Sequence, residues 1–180
     1  MKNLSILFAS LLVTACVSIP SKHTSHFHSV IYDKKTDFTE YRRLPGGTIK
    51  IPHEWKEAGY MSSSGEMELT NTSGELITIA FNDVVKYSFY SNELKGIALL
   101  DAFYKWESEY ILKETWLKIS VLERGADYIL YHIYGNNDLN NMFLASNKND
   151  RYLYIYAIKT SPMGDEQRAA FLKDIHKNNL

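Results

Sequence analysis

Histidines are the residues of this chain with the most direct capacity for chemistry. Three of the six stand close together near its start, at positions 23, 26 and 28. Imidazole nitrogens are common transition-metal ligands, so a run of this kind can capture a metal ion. No cysteine or carboxylate completes a ligand set there, and a flexible segment lacks the hydrogen bonds that orient ligands. Whether His23, His26 and His28 bind a metal stays open.

The other candidate bases are His53 and His132. His132 lies in an alternating stretch, residues 128–134, which predicts a sheet position on the same face as Leu130 and Tyr134. His53 follows Pro52 and is predicted to lie in a loop. The chain has no Gly-x-Ser-x-Gly nucleophile motif. A hydrolase therefore requires one of these histidines to reach both a hydroxyl and a carboxylate in a cleft.

Paired carboxylates offer little more. Glu107 and Glu109 are two apart in a predicted helix, so they diverge by about 200° and cannot act on one substrate. Glu66 and Glu68 share one face of a predicted strand, about 7 Å apart. They could hold a cation or a basic partner, although a solvated strand face is the simpler interpretation. We predict no catalytic residue, no metal and no cofactor, and therefore no enzyme.

The elements that must position these residues begin with strands. Short strands are predicted at 29–33 and 48–51, and a hairpin at 65–71 and 75–81, joined by a turn at Gly74. Residues 84–90 fit either another strand or an irregular crossing. Four further strands, 116–122, 126–134, 139–145 and 152–158, have short connections, which favours an antiparallel meander.

Two stretches have the period of a helix. From Gly96 onward, Ile97, Leu100 and Phe103 recur at helical spacing, with Glu107 and other charged residues occupying the remainder. Residues 164–178 form a second amphipathic stretch that ends the chain. The order of elements predicts the α+β class, an antiparallel sheet flanked by two amphipathic helices.

A more specific resemblance concerns residues 45–178. The stretch IKIPHEW (residues 49–55), a strand that ends in Pro and is followed by Trp, is succeeded by the hairpin, the central helix, the meander and the last helix. This order resembles the Mog1/PsbP-like sandwich. The resemblance implies a domain that binds partners and does not catalyse a reaction, although a fold by itself does not fix function.

The first sixteen residues carry an export pattern. Lys2 precedes an apolar run at 4–13, which as a helix would be about 15 Å long. The hydrocarbon core is about 30 Å thick, so the run is too short to span it and resembles the apolar region of a signal peptide. Val13-Thr14-Ala15-Cys16 resembles the bacterial lipobox, and Cys16 is the only cysteine of the chain.

The lipobox resemblance implies cleavage before Cys16 and acylation of that residue, including by palmitate. Val17 stands where Asp commonly retains lipoproteins at the inner membrane. The expected location is therefore the periplasmic face of the outer membrane, with another extracytoplasmic membrane face as the alternative. The predicted organisation is a signal peptide at 1–15, a lipidated cysteine and flexible tether at 16–29, and one domain at 30–180.

Charge and aromatic content bear on the partner. The net charge is −1, so the chain has no basic excess that would indicate nucleic acid. It has 13 Tyr, 8 Phe and 3 Trp, and aromatic residues are enriched in interfaces. We predict a non-enzymatic protein-binding module, such as an immunity or inhibitor lipoprotein or an accessory subunit of an envelope complex, with Tyr87, Phe89 and Tyr90 as contact residues. Alternatives are a small-ligand or lipid-binding protein and a hydrolase.

Overall fold

A computed structural model describes residues 27–136 and 139–180 of the 180-residue chain, with the side chain of Thr160 excepted. The predicted signal peptide, the lipobox with Cys16, and most of the predicted tether lie outside the described residues. His23 and His26 lie outside them too.

The first three strands form a small antiparallel sheet. They are β1 (Phe27–Asp33), β2 (Phe38–Leu44) and β3 (Gly47–Pro52), in the order β1-β2-β3. Tyr41 of β2 lies opposite Ile49 of β3, and both side chains are buried. This face of the small sheet packs against the rest of the molecule because alternation places its apolar residues together.

Seven strands form the main antiparallel sheet, in the order β4-β5-β6-β10-β9-β8-β7. The pairing of β6 with β10 joins the hairpin β5-β6 to the meander β7-β8-β9-β10. The strands are β4 (Lys56–Met61), β5 (Glu66–Thr70), β6 (Leu76–Asp83), β7 (Leu117–Arg124), β8 (Tyr128–Gly135), β9 (Asn140–Lys148) and β10 (Tyr152–Thr160).

Two helices cover opposite faces of the main sheet. Helix α1 (Gly96–Ile111) packs mainly on β7, β8 and β9, in a core that includes Phe103 and Tyr131. Helix α2 (Asp165–Lys177) packs on β9, β10 and β3, in a second core that includes Leu130 and Leu172. Because neighbouring residues of β8 point to opposite faces, one strand contributes to both cores. The small sheet lies on the α2 side.

The predicted fold class is therefore present, and each predicted strand and helix has a counterpart in the structure. Residues 84–90 contain a short 3-10 helix, Val84–Lys86, followed by an irregular segment, so the second of the two alternatives is correct. No helix among the described residues is long and apolar enough to cross a bilayer.

Two strands and one boundary differ from the prediction. Strand β2 was not predicted because it buries Arg43, a charged residue where alternation leads one to expect an apolar one. Strand β4 is an exposed edge strand with a register shift between Glu57 and Gly59, which obscures the period. Strand β1 begins at Phe27, three residues before the expected start of the domain at 30.

Candidate functional site

A groove lies beside α1, where the helix leaves part of the sheet face open. It has a volume of about 330 Å³ and is bounded by α1 on one side and by β5 and β6 on the other. The helix contributes Phe103, Trp106 and Glu107, which lie on one helix face because they are three and four residues apart. The other lining residues include Ser63, Ser64, Glu66, Asn82, Lys86 and Tyr87. We call this site the α1 groove.

Aromatic rings form one wall of the α1 groove. The ring of Tyr87 stacks on Phe89 with a centroid distance of 5.2 Å. It meets Trp106 edge-on at 5.1 Å and Phe103 at 5.5 Å. Edge-to-face pairs at these distances are favourable and hold the rings in place. The irregular segment after the 3-10 helix is thereby fixed against α1.

Glu107 provides an unusual carboxylate at depth in the groove. Burial raises its pKa from the usual 4.5 to about 7, because a desolvated carboxylate is disfavoured. A hydrogen bond from the hydroxyl of Tyr131 opposes this rise in the pKa, and the negative charge of Glu66 adds to it. Glu107 therefore changes its charge near neutral pH, as functional carboxyl groups often do.

The face shared by Glu66 and Glu68 has a basic partner within the chain. Lys159 Nζ on β10 lies 2.9 Å from Glu68 Oε1 and 3.7 Å from Glu66 Oε2. The strand alternation predicted from the sequence is correct, since Met67 and Leu69 are buried on the opposite face. One lysine for two carboxylates leaves this end of the groove with excess negative charge.

Arg43, on strand β2 of the small sheet, fixes the turn between β4 and β5. This buried side chain donates from Nη1 to the carbonyl oxygens of Gly65, at 2.9 Å, and Phe81, at 3.1 Å. The side-chain amide of Asn82 also contacts this turn. Its nitrogen donates to the Ser64 carbonyl at 3.2 Å, and its oxygen accepts from the Tyr87 hydroxyl at 3.0 Å. The backbone of the turn at the edge of the groove is therefore held by side-chain hydrogen bonds.

Of the predicted contact residues Tyr87, Phe89 and Tyr90, only the first is among the residues that line this groove. All three are partly buried against the α1-side core. Much of their aromatic surface therefore packs within the domain, so a partner could touch only their outer edges. That they contact a partner stays a prediction.

The histidines are separated in space. His132 Nε2 contacts Asn140 Oδ1 in a shallow depression that also includes Ser120. His53 Nδ1 lies 2.9 Å from Asp37 Oδ2 in an exposed loop. Within residues 27–136 and 139–180, neither histidine makes hydrogen bonds to both a hydroxyl and a carboxylate.

His28 is the one member of the predicted histidine run that the structure describes. It belongs to β1, where its ring stacks on Tyr60 at 4.8 Å and Nε2 lies 3.4 Å from Glu57 Oε1. In the described part of the chain, no three His, Cys, Asp or Glu side chains are grouped closely enough to hold a metal ion. The metal question for the whole run stays open, because His23 and His26 are outside that part.

The prediction that Glu107 belongs to the polar remainder of the helix is wrong. The structure places it in the groove, because position 107 is four residues after Phe103 and shares its face. The same spacing brings Trp106 to the groove. The divergence of Glu107 and Glu109 was predicted correctly, since Glu109 is exposed. The spacing of Phe103, Trp106 and Glu107, three and four residues apart, could have predicted that all three share one helix face.

Comparison with known proteins supports the fold. No family model and no curated protein matches the chain. Among solved structures, the solution structure of cyanobacterial PsbP (CyanoP) from Synechocystis sp. PCC 6803 is similar, with a TM-score of 0.51, and the match covers 92% of this chain and 96% of that chain. The fold is PsbP-like. Sequence identity is 8%, so the likeness extends to the fold alone. The resemblance predicted from the order of elements is confirmed at this level.

Proposed function

We propose that the protein is a lipoprotein anchored through acylated Cys16 to the periplasmic face of the outer membrane. The support is the sequence of residues 1–17, with its apolar run, lipobox-like cysteine and Val17. Strand β1 begins at Phe27, so residues 17–26 separate the cysteine from the folded domain. Ten residues span at most about 35 Å, which would keep the domain close to the bilayer.

For the domain itself we propose a non-catalytic role in binding another protein. The observation that carries this proposal is the α1 groove, where aromatic rings and a largely buried carboxyl group line one concave surface that opens to solvent. Interfaces are held by a few aromatic and charged anchors seated in such concave places. The partner would place a side chain in the open part of the groove, beside the rings of Tyr87 and Trp106 and next to Glu107.

A site-specific photocrosslinker can test this proposal in cells of the native bacterium. Benzoylphenylalanine at position 90 replaces Tyr90, three residues after Tyr87 in the irregular segment, by another aromatic residue. The matched control places it at the exposed Thr48, on the small sheet. We expect a discrete protein adduct from position 90 and none from position 48. Absence of an adduct from position 90 in every growth condition, or equal adducts from both, would contradict the proposal.

The volume of the groove favours a second candidate, the binding of a small ligand. Ligand cavities typically begin at about 300 Å³, and this one has about 330 Å³. Most of its lining is polar or aromatic. Mass spectrometry of the purified protein under native conditions distinguishes the two, because a bound small molecule adds a fixed mass that the W106A variant loses.

A further inference from the structure

One carboxylate oxygen in the α1 groove has no protein partner among the described residues. Glu107 Oε2 accepts the hydrogen bond from Tyr131, whereas no described side chain donates to Oε1. Lys86 lines the groove but forms no ion pair with Glu107 within residues 27–136 and 139–180. A desolvated carboxylate without a counter-charge is unfavourable. When Glu107 is ionised, the groove therefore has a negative charge that a bound cation would stabilise.

The surroundings of this oxygen suit a positive charge. Tyr87 and Trp106 both line the groove, where their rings touch edge to face with centroids 5.1 Å apart. The ring surface that this contact leaves open to the groove can attract a cation. Glu66 adds a second carboxylate to the lining, and its neutralisation is incomplete because Lys159 is shared with Glu68. Apart from Lys86 at the rim, the charged residues that line the groove are acidic.

We propose that the α1 groove binds the ammonium group of a lysine side chain on the partner protein, with Glu107 Oε1 as its counter-charge. The methylene groups of that lysine would lie along the rings of Tyr87 and Trp106. This inference rests on the proposed function, since it names the chemistry by which the partner is held.

Lysine suits the groove better than arginine for a geometric reason. A guanidinium group is a planar fork that binds best to both oxygens of a carboxylate. Tyr131 already donates to Oε2 of Glu107, so Oε1 is the oxygen without a donor among the described residues, and a bidentate fork would have to share Oε2 with the tyrosine. An ammonium group is compact, and it can donate to that one oxygen and to nearby hydroxyl or carbonyl oxygens of Ser63 and Ser64.

Binding of the ammonium group depends on the protonation of Glu107. Its pKa of about 7 means that the carboxyl group is mostly protonated at pH 6 and mostly ionised at pH 8. The other charged groups that line the groove are Glu66 from β5 and Lys86 from the 3-10 helix. Burial raises the pKa values of Tyr87 and Tyr131, so both stay neutral in this range. The affinity should therefore fall about tenfold from pH 8 to pH 6.

A titration with two short peptides tests the proposal on the purified full-length protein in detergent micelles. The probe is acetyl-Ala-Lys-Ala-amide, and its uncharged match is acetyl-Ala-norleucine-Ala-amide. The readout is the NMR signal of the Trp106 indole in protein labelled with ¹⁵N-tryptophan, which gives three indole signals, assigned by the W106F variant. Glu107→Gln removes the charge, and Glu109→Gln on the exposed side of the same helix is the control.

We expect the lysine peptide, but not the norleucine peptide, to shift the Trp106 signal. E107Q should weaken binding at pH 8 about tenfold and abolish its pH dependence, whereas E109Q should change neither. Equal shifts from both peptides, or none, would overturn the inference, as would tighter binding of butylammonium than of the lysine peptide. If the crosslinked adduct forms while the lysine peptide does not bind, this inference fails and the proposed function stands. Peptide binding without any adduct would contradict the proposed protein partner, and would leave only the affinity of the groove for an ammonium group.

Discussion

The environment of Glu107 departs from what its charge suggests. On the helix it stands between Trp106 and Ser108, and its spacing from Phe103 gives it the apolar face without requiring that a carboxyl group be buried. Its carboxyl group is buried because this face of α1 lies against the sheet, where Tyr131 donates a hydrogen bond to it. Folding therefore makes ionisation of Glu107 less favourable.

The stability of the protein should therefore depend on pH through Glu107. The folded-state pKa of about 7 is above the usual 4.5, so the folded state prefers the protonated carboxyl group. The penalty is absent below pH 4.5, grows as the pH rises to 7, and is constant above that. At 1.36 kcal/mol per pKa unit it reaches about 3 kcal/mol.

We expect the E107Q variant to be more stable than the wild type at pH 8, by up to about 3 kcal/mol, because glutamine has no charge to desolvate. At pH 4 the two proteins should be equally stable or nearly so. Urea unfolding at both pH values measures the difference. The E109Q variant should follow the wild type, since Glu109 is exposed. An advantage of E107Q that is the same at both pH values would mean that ionisation of Glu107 is not its cause.

At the scale of elements, the turn between β4 and β5 is held by a contact that crosses between the two sheets. Arg43 on β2 reaches the carbonyl oxygen of Gly65 at the end of this turn. Gly65 has φ +74°, and an added Cβ would lie 2.8 Å from Arg43 Nη1. The glycine is thus needed for its backbone conformation and also for the space above the guanidinium group.

A pair of glycine substitutions separates these two requirements. Gly74, in the turn of the next hairpin, has φ +79° and no atom within 4 Å of an added Cβ. We expect G74A to lower the free energy of unfolding by about 1 kcal/mol, from backbone strain alone. G65A should lower it by at least about 1 kcal/mol more, since the buried Arg43 must shift. If G65A and G74A lower the free energy of unfolding equally in chemical denaturation, Arg43 moves aside without measurable cost.

At the scale of the whole molecule, the proposed location depends on a covalent modification, the acylation of Cys16. A single acyl chain gives marginal membrane binding, whereas the several chains of a mature lipoprotein anchor it stably. In the proposed anchoring, attachment depends on the acylation of Cys16.

Replacing the cysteine should prevent both the acylation and the removal of residues 1–15. We expect the wild-type chain to incorporate radioactive palmitate and to lose residues 1–15, and the C16A variant to do neither. A matched control, C16A with S18C, restores a thiol two positions later, outside the lipobox-like sequence, and should stay unlabelled. Intact mass and membrane fractionation measure the outcome. A wild-type protein that retains residues 1–15 and has no acyl mass would refute the anchor.

Much of the fold follows from local patterns in the sequence. The period of two in 116–122 and 152–158, and the helical period after Gly96, are set by residues close in the chain, and each has its counterpart in the structure. Such periods survive folding because one face of each element must be buried. The order of elements followed from these patterns together with the short connections between them, and the PsbP-like fold was what that order resembled.

The α1 groove could not be predicted in this way, because its walls come from distant parts of the chain. Glu66 precedes Glu107 by 41 residues, and the two are brought to one cavity only by the pairing of β6 with β10 and the placement of α1 over β7 to β9. Burial of Arg43 likewise depends on two carbonyl groups 22 and 38 residues away. Sequence alone indicated both helices, eight of the ten strands and the lipobox-like start. Only tertiary structure decided which charged groups lose water, since desolvation depends on neighbours that the chain order does not specify.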